Sequence, residues 1–253
     1  MILDTLDPVA PPEPKRCNLL LHQGANSASR GEVAETPTPR PTATWQPVPH
    51  LRVLQTVERA LLDRGLTISG QSHGLSHDGK RYFGLLEVES YGASVSRVVG
   101  LRNAHDMRFA AGLVAGMQVL VCDNLSFAGE IALARKHTSG ILRDLPVMAL
   151  SAVQRLFGFW DDHERRIERY HRVELSDPHV HDLAVRAVDS GVMANAHLPK
   201  VLQEWRKPRH EEFSPRNLWS LQNAFTEVFK GRVDRLPERT MRLHQLLDQE
   251  VGL

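Results

Sequence analysis

The feature that most restricts what this chain can fold into is a change of hydrophobic period near residue 147. Upstream, from Leu66 to Ser90, apolar and polar residues alternate with the two-residue period of a strand that buries one face. The alternation pauses at His77-Asp78-Gly79-Lys80, whose Asp-Gly pair supplies the positive-φ positions of a tight hairpin. Val95 to Leu101 reads as a third strand, Met117 to Val121 as a buried one, and Phe127 to Ala134 as another. Met107 to Ala115, rich in small residues, reads as a short helix. Downstream the period becomes helical. A long helix is expected over Val147–Val173, its second half heavily charged. Asp177-Pro178 supplies an N-cap and a first-turn proline for a helix to Ser190, with Gly191 behind it. Ser214-Pro215 repeats that signal with Gly231 as its stop, and Pro237 opens a final helix. One helix precedes the strands, where Leu51, Leu54, Val57, Leu61 and Leu62 repeat at helical spacing before Gly65. The expected class is α+β: a mainly antiparallel or mixed sheet in the first half packed with helices, then a helical second half.

Residues 1–46 are set apart by composition. Closely spaced prolines such as Pro37, Pro39 and Pro41 remove backbone donors and favour extended geometry. Few large apolar residues are present to offset ordering entropy, so a disordered arm is expected there. The core domain should then span 47–231, with a C-terminal helix over 232–253. A hydrophobic share of 42% supports a true core. Cys17 and Cys122 are the only cysteines, which excludes a disulfide framework and a cysteine zinc site. No apolar run approaches the roughly 18 residues of a membrane span. Met1-Ile2-Leu3-Asp4 lacks the basic start of a secretory signal, so the cytoplasm is the expected address and no membrane partner is expected.

Charge is balanced, with 31 Lys plus Arg against 30 Asp plus Glu. That excludes nucleic-acid binding by bulk electrostatics and leaves a local patch as the only route. Such a patch exists in sequence: Arg97, Arg102, Arg108, Arg135, Lys136 and Arg143 outnumber Asp106, Asp123 and Glu130. Four constellations carry the remaining chemistry. Arg102-Asn103-Ala104-His105-Asp106 follows a strand and precedes the short helix, a junction whose free backbone N–H groups suit an anion. His105 with Asp106 offers an acid–base pair, while helix capping by Asn103 or Asp106 is the structural alternative. Val121-Cys122-Asp123-Asn124 closes the next strand as a site or as a turn, with Cys122 a small core residue. Arg135-Lys136-His137-Thr138 puts two cations and an imidazole after a strand, facing phosphate or solvent. On the helix Pro215–Lys230, Trp219, Asn223 and Thr226 form a stripe beside the apolar one, suited to docking on a sheet or lining a groove. Asp161-Asp162-His163-Glu164 with Arg165-Arg166 reads as a solvated ion-paired face. His179 and His181 splay apart on a helix and read as no metal site.

Taken in order, Asn103-Ala104-His105-Asp106, Val121-Cys122-Asp123-Asn124, His137-Thr138 and Trp219-Ser220-Leu221-Gln222-Asn223-Ala224-Phe225-Thr226-Glu227 resemble a family of phage- and plasmid-associated proteins known as domain of unknown function 932. The likeness covers roughly residues 50 to 231. Ala104 stands where Ser is common, and Asp123 where a small polar residue is usual, which adds negative charge to that turn. The resemblance implies a mobile-element setting: DNA maintenance, recombination or host-defence conflict.

Three expectations follow. The leading one is an accessory protein that binds nucleic acid, single-stranded DNA foremost, through Lys80, Arg81, Arg97, Arg102, Asn103, Arg135 and Lys136. The second is a metal-assisted hydrolase or nucleotidyl-type enzyme using His105, Asp106 and His137, with Asp123. The third is a non-catalytic, oligomeric interaction protein whose polar motifs only bond strand to helix. No cofactor and no resident metal is expected. The four motifs should converge, with Trp219, Asn223 and Thr226 lining a groove at the sheet end.

Overall fold

The computed structural model describes residues 26–91, 95–119, 124–127, 133–230 and 235–253. Seven strands form one sheet: β1 (Asn26–Ala28), β2 (Gly70–Ser76), β3 (Arg81–Tyr91), β4 (Val95–Ala104), β5 (Ala111–Val119), β6 (Asn124–Phe127) and β7 (Leu133–Arg135). They run β1-β2-β3-β4-β5-β6, every pairing antiparallel, and β7 shares with β6 the edge of β5 that β4 leaves open. The helices are α1 (Arg30–Glu35), α2 (His50–Leu62), α3 (Ile141–Arg172), α4 (Asp177–Asp189), α5 (Leu198–Arg206), α6 (Leu218–Phe229) and α7 (Leu236–Leu247). The α+β class with an antiparallel sheet first and helices after it is therefore the fold.

The hairpin signal sits where the sequence put it. His77, Asp78 and Gly79 take successive positive φ values of 55°, 56° and 78°, and Ser76 pairs with Arg81 across the turn. Register then sorts the side chains. Asn103, Leu101 and Val99 of β4 share a face with Ala111, Leu113, Ala115 and Met117 of β5. That face meets α2 and α3, while β6 at the far side of β5 meets α6 and α7. Every position of β5 is buried, so its sequence carries no alternation.

This explains the first correction. Residues 107–115 are not a helix: Met107 to Ala110 form the connection, and Ala111 begins β5. Burial of both faces of β5 removes the alternation that marks a strand, and its Ala-rich start is also helix-friendly. An added Cβ at Gly116 would lie 2.6 Å from Phe127 Cδ1, and one at Gly100 2.8 Å from Phe127 Cε1. The Phe127 ring thus lies against bare backbone of two strands. Trp160 of α3 is fully buried and donates its indole N–H to the Gly116 carbonyl at 3.2 Å, tying helix to sheet at the same glycine.

Other boundaries shifted for capping reasons. Ser176, not Asp177, is the N-cap of α4, its hydroxyl accepting from the His179 N–H. Asn217 caps α6 by accepting from the Ser220 N–H at 2.9 Å, so that helix begins past Ser214-Pro215. The long helix starts at Ile141, earlier than Val147. Gly231 lies outside the described residues.

Residues 26–46 are not a disordered arm. β1 extends the sheet, α1 carries a Ser29/Glu32 capping box and buries Val33, and Arg30 meets Glu58 of α2 at 2.8 Å. One apolar side chain and one ion pair between helices hold a stretch that composition assigned to disorder; residues 1–25 of that arm lie outside the described residues. The helix α7 packs into the same core, with Leu236, Leu243 and Leu247 buried.

Gly116→Ala should destabilise the protein by about 1–3 kcal/mol, since an added methyl must displace an aromatic ring from a packed core. Urea unfolding of Gly116→Ala, Phe127→Leu and the double variant checks this: the double should cost less than the sum of the singles.

Candidate functional site

The residues singled out in sequence meet at two places, at opposite ends of β5. The first lies at the turn end of the sheet, where β4 finishes at Asn103 and Ala104. Asn103 is fully buried. Its amide nitrogen donates to the Val48 carbonyl and to His50 Nδ1, both at 2.8 Å, and its Oδ1 accepts from His137 Nε2 at 2.7 Å. His50 Nε2 donates to the Gly79 carbonyl at 2.8 Å. His105 Nε2 donates to the Val48 carbonyl at 2.8 Å, and its ring stacks on that of His50 with centroids 3.8 Å apart. The carbonyl partners settle the tautomers: His50, His105 and His137 each carry the proton on Nε2. One asparagine therefore bonds the end of β4 to the strand-free segment before α2, to α2 itself and to the segment after β7.

Electrostatics agree with the bonding. Burial pushes His50 down to about 3, and the neighbouring His105 pushes the same way. Burial lowers His137 to about 4, again with help from His105. His105 is lowered by burial, against the carbonyls of Val48 and Pro37 and the charge of Asp106. All three rings are neutral at physiological pH. A general base needs a free lone pair and a proton affinity near the working pH. His105 and His137 instead spend their ring N–H groups on fixed acceptors, and burial lowers both, His137 to about 4. Burial opposes ionisation of Asp106, but the Arg81 side chain and the Arg108 backbone N–H hold its carboxyl below the usual range. Arg81 reaches Asp106 at 2.8 Å.

The proposed anion site at a helix N-terminus does not exist, because Arg102–Asp106 leads into a strand connection. The cations divide accordingly. Arg97 points to α3, 2.6 Å from Glu164 and 5.7 Å above the Trp160 ring, roughly 16 Å along β4 from Arg102. It is no part of a patch at the turn end. Arg102 lies over Phe109 at 5.5 Å, and Arg135 meets Asp144 at 2.8 Å. Lys80, Arg108 and Lys136 are exposed and form no ion pair among the described residues. In sequence Arg108 contributes only to the local charge balance, and His50 belongs to none of the four constellations. No local signal singles out His50, because its role depends on Asn103, which lies 53 residues away.

The second place is the other end of β5, roughly 26 Å away at strand rise. Asn124 of β6 donates to the Asn223 carbonyl and to Asn223 Oδ1, each at 3.3 Å. Asn223 Nδ2 donates to the Trp219 carbonyl at 3.0 Å, and Thr226 Oγ1 to the Asn223 carbonyl at 3.2 Å. Trp219 packs against His171 with ring centroids 5.4 Å apart. Trp219, Asn223 and Thr226 are 5%, 3% and 1% exposed, so they line no groove; Asn223 docks α6 on β6, and Trp219 meets α3 at His171. Val121, Cys122 and Asp123 lie outside the described residues. The described residues of the four motifs thus form two clasps and not one site.

Beside the second clasp lies a polar group of Ser126, His163, Gln222 and His244, all buried, so His163 belongs to no solvated face. Asn124 Oδ1, His163 Nε2, Gln222 Oε1 and His244 Nδ1 lack a hydrogen-bonding partner among the described residues. Leaving such atoms bare costs about 1–3 kcal/mol each, against a typical total stability of about 5–15 kcal/mol. Among the described residues no group of three or more His, Cys, Asp and Glu is placed to hold a metal ion, and no helix is long and apolar enough to cross a membrane.

Residues 40–250 match the model of the family described as Domain of unknown function (DUF932), and the chain belongs to that family. No curated protein and no solved structure gives a match.

Two measurements check the first clasp. Asn103→Leu should cost about 2–4 kcal/mol in urea unfolding, because it strands the His137 N–H and leaves His50 Nδ1 unpaired. Stability should also fall in acid. His50, His73, His137 and His163 have folded values of about 3, 4, 4 and 3, below the ordinary 6.5, with burial as the leading cause in each. As pH drops below 6.5 the unfolded chain takes up these protons first. Stability is therefore full above about 6.5 and declines toward pH 4, by about 1.4 kcal/mol per unit for each such ring. Thermal melts across that window report the slope.

Proposed function

We propose that this member of the DUF932 family is a non-catalytic nucleic-acid-binding protein that takes single-stranded DNA on the turn end of its sheet. The observation that carries the reading is that Lys80, Arg108 and Lys136, exposed and without ion pairs among the described residues, lie in connections bonded to one another at that end, with an exposed Met107 next to Arg108. These come from three separate connections. The backbone bond from His105 N–H to the Lys80 carbonyl at 2.7 Å joins the first two, and Asn103–His137 brings in the third. Met107 is 62% exposed and holds a positive φ of 61°, a backbone state that costs a non-glycine residue energy. An apolar side chain held at a strained tip among cations is suited to an unstacked base beside a phosphate backbone. Neutral protein charge confines binding to this patch. The mobile-element setting implied by the family resemblance favours a role in recombination, maintenance or host-defence conflict.

The alternative of a hydrolase is weakened by the bonding of His105, His137 and Asp106. A purely structural or oligomeric interaction protein is the second reading, favoured by how completely Asn103 and Asn223 are bonded to backbone.

Fluorescence anisotropy with a labelled single-stranded oligonucleotide at low salt distinguishes them. Wild type should bind, with affinity falling steeply as salt rises. Lys80→Glu/Arg108→Glu/Lys136→Glu should lose at least tenfold while melting normally, and Met107→Ser should weaken binding without changing the salt slope. No binding at low salt would leave the interaction protein as the better reading.

A further inference from the structure

The polar group beside the second clasp has unmet hydrogen-bonding capacity of a definite kind. Gln222 Nε2 donates to Ser126 Oγ at 3.2 Å and lies 3.5 Å from His244 Nε2. Ser126 Oγ is itself 3.2 Å from the same ring nitrogen. His244 Nε2 is therefore an acceptor, and its proton sits on Nδ1. Arg166 Nη1 donates to His163 Nδ1 at 3.4 Å, which puts the His163 proton on Nε2. The two imidazoles meet edge to face with centroids 4.9 Å apart. Asn124 lies two residues before Ser126 on the same face of β6, and its amide nitrogen is fixed by the Asn223 carbonyl, leaving Oδ1. What remains is two donors, His163 Nε2–H and His244 Nδ1–H, and two acceptors, Asn124 Oδ1 and Gln222 Oε1. Each of the four residues is at most 3% exposed.

We infer that this site holds ordered water as a permanent ligand, one molecule or a bonded pair, joining β6 to α3, α6 and α7. Water offers two donors and two acceptors, the complement of what the side chains leave unmet, and buried waters ordinarily make about three such bonds. A cation fits badly. The imidazole lone pairs that could ligate it face Arg166 on one ring and Gln222 with Ser126 on the other. An anion would meet two amide oxygens. A dry site would leave four polar atoms bare in the core.

A high-resolution crystal structure of the full chain tests this directly, together with water-to-imidazole nuclear Overhauser spectra of the same protein labelled with nitrogen-15 at histidine. The expected result is a fully occupied water within about 2.7–3.2 Å of at least three of the four atoms. Slowly exchanging His163 Nε2–H and His244 Nδ1–H signals should show cross-peaks at the water frequency. Zinc added to the protein should leave its melting temperature unchanged. The inference is overturned if the four atoms pair with one another or with protein groups, or if the ring N–H signals show no contact with water. A rise in melting temperature with zinc that His244→Ala removes would overturn it in favour of a metal site.

Discussion

The Asn103 carboxamide at the end of β4 donates twice and accepts once, and those three bonds reach Val48, His50 and His137. The partners come from before the sheet, from the first core helix and from beyond the last strand. Without that amide the turn end of the sheet would present a carbonyl, an imidazole acceptor and an imidazole donor to a dry interior. The segment of Lys136 rests on it directly through His137, and the Lys80 turn indirectly, through His50 on the Gly79 carbonyl. The His50–His105 stack completes the clasp by covering its open side with neutral rings.

Neutrality follows from the arrangement and is not added to it. Rings that donate to carbonyls through Nε2 and lie in a desolvated pocket cannot take a second proton without breaking a bond or burying a charge. A motif of Asn, His and Asp after a strand therefore does structural work here, though the same residue types on an open cleft would read as acid–base chemistry. The same rule governs the second clasp, where Asn124 and Asn223 join β6 to α6. The buried His163 and His244 next to it extend the polar core, with water as the remaining partner.

Part of this was legible in residue order. The two-residue period around Asp78-Gly79 and the helical period after residue 147 placed sheet and helices correctly. The motifs carrying the family resemblance are the residues that form both clasps. Other parts were misread for physical reasons. Met107–Ala115 looks helical because Met and Ala favour helices, yet Ala111–Ala115 belongs to β5, where every position is buried and no alternation marks the strand. Residues 26–46 look disordered because composition counts apolar residues without knowing where one, Val33, and one ion pair, Arg30–Glu58, will land. Arg97 looks like a phosphate contact until Glu164, on a helix 67 residues later, claims it.

The sequence by itself determined the α+β division and the hairpin, because periodicity and turn chemistry act between near neighbours, and it marked Asn103, His105, His137 and Asn223 but not His50 or His244. Only the tertiary structure decided which of those residues are buried and bonded and which stay exposed. Desolvation, hydrogen-bond pairing and ion pairing depend on groups brought together from distant parts of the chain. At the polar segment after β4 they turned Asn103, His105 and His137 into a closed, neutral clasp, and left Lys80, Met107, Arg108 and Lys136 exposed.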